Sequence, residues 1–135
     1  MAPRYLLDTD ICSYLHRRQP PSIVARFDKL SPGEAAISVI TYGELAFGAF
    51  KTADPRKGIS WLEQLTRLLL LLPVPESAGE VYGRMRATLA RSGETIGGND
   101  LWIAAHALAS GLILVTNNER EFKRVKDLKI ENWAK

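Results

Sequence analysis

Short apolar runs alternate with longer stretches of helical period along this chain. Tyr5-Leu6-Leu7 has the pattern of a buried strand and stops at Asp8-Thr9-Asp10, residues suited to a helix start. The pattern predicts helices over 11–18 and 22–30, separated by Pro20-Pro21 and closed by the turn Ser31-Pro32-Gly33. A second buried strand is predicted at 35–39. From Thr41 the period is helical, with Leu45, Ala46, Ala49 and Phe50 on one face. Asp54-Pro55 ends that helix and starts another that runs to about residue 67. A third strand follows at 69–74, closed by Pro73 and Pro75. Ala78, Val81, Tyr82, Met85 and Leu89 form a stripe of helical spacing, so 76–91 is an amphipathic helix. Residues 101–109 are apolar almost all round, which predicts a buried helix capped by Gly111. A strand at 113–116, a short helix at 121–125 and a weak strand at 129–131 complete the order. Strands alternating with helices imply a parallel sheet covered on both faces, a three-layer α/β architecture.

Length and composition narrow the picture. The chain of 135 residues fits a single domain over 1–135, and 46% hydrophobic with 24% charged residues is the balance of a globular protein. The net charge of +3 leans mildly towards polyanionic partners. One cysteine, Cys12, excludes an internal disulfide, and with only His16 and His106 there is no zinc-ligand spacing. Cys12 is expected to be a small buried hydrophobe. No apolar leader segment follows the basic start, and the run 68–72 is far too short to span a bilayer. The expectation is a cytoplasmic protein without membrane contact.

The acidic side chains fall in an informative pattern. Asp8 closes the first strand, Glu44 is expected in the first turn of the helix after the second, Asp100 opens the buried helix, and Asn118 follows the fourth strand. In an open parallel sheet these strand-to-helix junctions gather at the carboxyl edge, where ligands bind. Like-charged carboxylates at about 4 Å and an effective dielectric near 20 cost on the order of 4 kcal/mol per pair, so such a cluster calls for a cation or for protonation. All-oxygen donors favour Mg²⁺ or Mn²⁺. Taken singly, each residue also has a structural use. Asp8 and Asp100 suit helix N-caps, Thr41-x-x-Glu44 fits a capping box, and Asn118 suits a turn.

Four segments, Leu6-Leu7-Asp8-Thr9-Asp10-Ile11-Cys12, Ile37-Ser38-Val39-Ile40-Thr41-Tyr42-Gly43-Glu44-Leu45, Ile96-Gly97-Gly98-Asn99-Asp100-Leu101-Trp102-Ile103-Ala104-Ala105-His106 and Leu114-Val115-Thr116-Asn117-Asn118-Glu119-Arg120-Glu121-Phe122, resemble VapC toxins of the PIN-domain superfamily in order and spacing. The resemblance covers about 6–133. It implies a PIN-like fold with a central, mostly parallel sheet, and a metal-dependent endoribonuclease in which Asp8, Glu44 and Asp100 bind Mg²⁺ or Mn²⁺. It further implies a structured RNA substrate, typically a tRNA anticodon loop, whose cleavage stops translation. A homodimer and a small VapB antitoxin, laying a helix in a groove and sending an Arg towards the acids, are implied as well. The closing Thr116-Asn117-Asn118 and Arg120-Glu121-Phe122 pattern resembles the subgroup that attacks initiator tRNA. Two positions depart from the family pattern. Many relatives carry a fourth acid where this chain has Asn118, which leaves Asn118 to position water or a ligand and puts a second metal in doubt. Asp10 stands where related toxins often have Asn, and is read first as a helix-start residue.

On this reading Asp8 and Asp100 are the prime metal ligands, Glu44 completes the shell or orients water, and Thr116 supports a ligand carboxylate. Candidates for holding RNA are Arg17, Arg18, Arg84, Arg86, Arg91, Arg120, Lys123, Arg124 and Lys126, with Tyr14 and Trp102 able to stack on bases. Trp102 and His106 are read first as packed residues. The enzymatic rival is a haloacid-dehalogenase-like phosphatase, suggested by Asp8-Thr9-Asp10. A catalytically inactive PIN-like domain that binds RNA or protein is the other.

Overall fold

The computed structural model describes residues 2–135. Its strands are β1 (Tyr5–Leu7), β2 (Ala35–Ser38), β3 (Leu70–Leu72), β4 (Ile113–Val115) and β5 (Ile130–Glu131). Its helices are α1 (Thr9–Arg17), α2 (Pro21–Asp28), α3 (Val39–Phe50), α4 (Pro55–Leu68), α5 (Ser77–Arg91), α6 (Gly98–Ser110) and the single turn α7 (Glu119–Phe122). The strands form one sheet in the order β3-β2-β1-β4-β5. Every pairing is parallel, where the expectation was mostly parallel.

Alternation along the short strands sorts side chains onto two faces. Tyr5 and Leu7, Ala35 and Ile37, and Val115 enter one core with Ile11, Ile23, Leu65 and Trp133. Leu6, Ala36 and Leu114 enter the other with Ile103, Ala104, Ala107 and Phe122. Helices thus cover both faces, which makes three layers. Cys12 lies fully inside the first core, where burial and the nearby Asp8 charge push its thiol pKa strongly up.

Three features differ from expectation. The second strand ends at Ser38, whose hydroxyl accepts from the Ile40 N–H and starts α3 at Val39. Phe50 does not share the buried face of Ala49; it is 64% exposed, as Phe47 is 67%. The reason is close packing of α3 on α4: a Cβ at Gly58 would stand 2.5 Å from the Ala49 Cβ. Only small side chains fit on that seam, and the rings point outward. The short helix after β4 starts at Glu119 rather than Glu121.

The chain order matters most for the site. From the central β1 the sheet grows to one side through β2 and β3, then resumes on the other side with β4. The junction of β1 and β4 is the switch point where crossovers leave in opposite directions and open a crevice at the carboxyl edge.

Candidate active site

Asp8 and Thr116 end the two strands that flank this crevice, and the Asp8 N–H donates to the Val115 carbonyl at 3.0 Å. Asp8 is only 4% exposed. Its Oδ1 accepts from the Ile11 N–H at 2.9 Å, so it caps α1. Burial drives its carboxyl pKa up to about 7. The Thr116 hydroxyl and the Ile11 N–H oppose that rise, while Asp10 and Asp100 add to it. Thr116 is itself fully buried, and its Oγ1 also accepts from the Asn118 N–H at 2.9 Å.

Asp100 is the third residue of α6, and Gly97 occupies the cap position with no side-chain cap. The expected N-cap role for Asp100 is therefore not observed. Its carboxyl is half-buried and pushed up to about 6, first by burial and then by the charges of Glu121, Glu44 and Asp10. Glu44 is the sixth residue of α3, in its second turn rather than its first. No capping box forms with Thr41, because Ser38 supplies the cap. Instead Glu44 accepts from the Thr9 hydroxyl on one oxygen and from the Asn99 amide on the other, the latter at 3.4 Å. These donors are the chain neighbours of Asp8 and Asp100, so three distant segments are tied to one rim.

Glu121 is the residue that sequence reasoning missed. The Asn118 amide donates to its Oε2 at 3.1 Å, the Gly97 N–H donates to its Oε1 at 3.4 Å, and its charge acts on Asp100. Asn118 itself thus binds Glu121 and brings an acid into the cluster from three residues further on. The one-turn spacing, i to i+3, was the available signal.

Among the described residues no Lys or Arg pairs with Asp8, Asp10, Glu44, Asp100 or Glu121. Oxygen donors repelling one another without a protein cation suit a hard divalent ion. The cluster is not a ready-made cage, however: no three His, Cys, Asp or Glu side chains among the described residues converge on one point. Asp8 is drawn to Ile11 and Thr116, and Glu44 to Thr9 and Asn99. The donor chemistry fits an ion; closing the shell requires these side chains to turn.

Several of the remaining candidates have structural partners. His106 is buried with its Nδ1 at 2.9 Å from the Ser38 Oγ, and burial lowers its pKa. Arg17 lies over the Tyr14 ring, and the Tyr14 hydroxyl accepts from the Asn117 amide. Arg84 pairs with Glu80, and Arg124 with Glu94. Trp102 is half-buried and stacks on Tyr82 rather than lying in the core.

Residues 5–128 match the PIN domain family. The chain is 44% identical to "Ribonuclease VapC2" of Haemophilus influenzae, covering 97% of this chain and 98% of that protein. It is 39% identical to "tRNA(fMet)-specific endonuclease VapC" of Shigella flexneri at the same coverage. The solved structure of VapBC-1 from nontypeable Haemophilus influenzae superposes with a TM-score of 0.89 at 40% identity, over 97% of this chain and 98% of that one. The phosphatase alternative, which also left Glu44 without a role, has no support in these matches. Matched over nearly its whole length, this chain belongs to the PIN-domain family, among its VapC toxins.

Proposed function

We propose that this protein is a metal-dependent endoribonuclease toxin. Asp8, Glu44 and Asp100 would hold Mg²⁺ or Mn²⁺, with Glu121 at the rim and Asn118 positioning it. The observation that carries this reading is the pair of raised carboxyl groups, Asp8 and Asp100, set among other acids with no Lys or Arg paired to them among the described residues. A bound divalent ion supplies an activated water and stabilises charge on a phosphodiester. The chain's own contribution is to bury the Asp8 carboxyl, to hold it through the Thr116 hydroxyl, and to keep Glu44 oriented through Thr9 and Asn99.

The substrate proposed is structured RNA, with a tRNA anticodon loop, and initiator tRNA first, as the target whose cutting stops translation. The name of the Shigella flexneri relative supports that choice. The test is induction in cells followed by mapping of RNA 5′ ends. One new terminus in one tRNA species, lost with Asp8→Asn or Asp100→Asn, is expected. A folded Asp8→Asn protein that still cuts overturns the site.

For control we propose a small VapB-type antitoxin. Two adjoining cavities, of about 460 and 590 Å³, share His16, Lys57 and Trp61 and run from the α2–α4 cleft to Thr9 and Glu44. Such a groove suits an amphipathic helix with a cationic end that reaches the acids. A homodimer is proposed from the exposed Phe47, Phe50, Leu68, Leu70 and Leu71 beside the open β3 edge.

A further inference from the structure

Tyr82 of α5 and Trp102 of α6 stack face to face, with centroids 3.8 Å apart and planes 9° from parallel. Both rings remain partly accessible. Arg86, one turn on from Tyr82, donates from Nη1 to the Tyr82 hydroxyl at 3.0 Å and has no carboxylate partner among the described residues. Beside this group is a cavity of about 290 Å³ with an apolar floor of Leu89, Ile96 and Leu101 and a rim of Arg86 and Thr95. Arg124, paired with Glu94, donates to the Thr95 carbonyl at 2.9 Å and so fixes this rim. Gly98 forms the remaining wall, and a Cβ there would meet nothing within 4 Å.

We propose that this cavity is a subsite for one unpaired nucleobase of the RNA strand. The inference rests on the ribonuclease reading and extends it to substrate recognition. The Tyr82 ring, backed by Trp102, and the apolar walls fit a base, whose faces stack on aromatic side chains with little regard to identity. Arg86, without a carboxylate partner among the described residues, places a cation where a flanking phosphate would run. The cavity is too small for a protein helix, which is about 10–12 Å across. Position completes the case: Gly98 and Leu101, on either side of Asp100 in the chain, both line it. A base held here keeps the strand on the turn of α6 that carries Asp100.

The test measures RNA affinity and single-turnover cleavage for wild type, Tyr82→Ala, Tyr82→Phe and Arg86→Ala, on a substrate that wild type cuts. The substrate is also made with an abasic residue at each position around the cut. Tyr82→Ala and Arg86→Ala are expected to weaken affinity about tenfold or more, with Mn²⁺ binding and the rate at saturating RNA unchanged. Tyr82→Phe keeps the stack and is expected to keep affinity. One abasic position should reproduce the loss in wild type and cost nothing further in Tyr82→Ala. Unchanged affinity in Tyr82→Ala, or additive losses, would overturn the subsite while leaving the nuclease intact. Loss of self-association in place of RNA affinity would also overturn it, assigning the cavity to a protein contact. Failure of wild type to cut any RNA would instead overturn the underlying activity.

Discussion

Thr116 and Asp8 follow adjacent central strands, and the Thr116 hydroxyl holds the Asp8 carboxyl below where burial alone would drive it. The same hydroxyl accepts from the Asn118 N–H, so it fixes an acid and a turn at once. Thr116→Val removes the donor while keeping the branched shape. The expected result is a higher Asp8 pKa, an acidic limb of the pH–rate profile displaced upward, and divalent-ion affinity reduced about 10- to 100-fold. Thr116→Ser should restore both. A profile unmoved in Thr116→Val would refute the coupling.

Asp8 also predicts how stability follows pH. Its folded pKa, about 7, lies above the ordinary value of 3.8. Ionisation is therefore harder in the folded state, and stability falls as pH rises from about 4 through 7, by up to a few kcal/mol. Asp8→Asn retains an acceptor for the Ile11 N–H and removes the charge. In chelator, urea unfolding should show the variant more stable than the parent at pH 8 and close to it at pH 4.

A bound cation reverses that penalty. Mn²⁺ or Mg²⁺ is expected to raise the melting temperature at pH 8, where the carboxylates are ionised, and much less at pH 5, where protons occupy Asp8 and Asp100. Calorimetric scans with and without ion at the two pH values check this. Asp8→Asn should abolish the increment; its persistence would place the ion elsewhere.

Glu121→Gln tests the residue added to the cluster. The charge of Glu121 is the largest electrostatic push on Asp100. Its removal should lower the Asp100 pKa, visible in carboxyl-resolved NMR titration, and reduce cleavage. A titration curve unchanged by Glu121→Gln would contradict that coupling.

At Gly58 the seam between α3 and α4 admits no side chain. Gly58→Ala gains about 1 kcal/mol of helix propensity but must push the two helix backbones apart. We expect net destabilisation of about 1–2 kcal/mol by denaturant unfolding, with Gly58→Ser worse still.

Much of this was legible in the residues. Three acids after strands or at helix starts, read with the parallel topology, point to one rim, and there Glu44 bonds Thr9 and Asn99, the chain neighbours of Asp8 and Asp100. What periodicity does not show is which local bond each acid makes. Asp8 is a helix cap as well as a site acid, because one oxygen serves the Ile11 N–H and the carboxyl still faces the crevice. Glu44 falls a turn deeper in its helix than the pattern suggests, because Val39 and Ile40, apolar and β-branched, read as strand although Ser38 has already started the helix. Asn118 draws attention by position, yet the charge comes from Glu121, a helical turn later. Phe50 turns inward only on a helical wheel that knows nothing of Gly58.

The position of β1 has a consequence for biosynthesis. Its two neighbours in the sheet are drawn from 35–38 and from 113–115, so one flank of the central strand stays bare until residue 115 has been translated. At ordinary elongation speeds that interval is on the order of ten seconds. Throughout it Thr116 and Glu121 are missing from the crevice, so the rim that gathers the acids is the last part of the sheet edge to be completed.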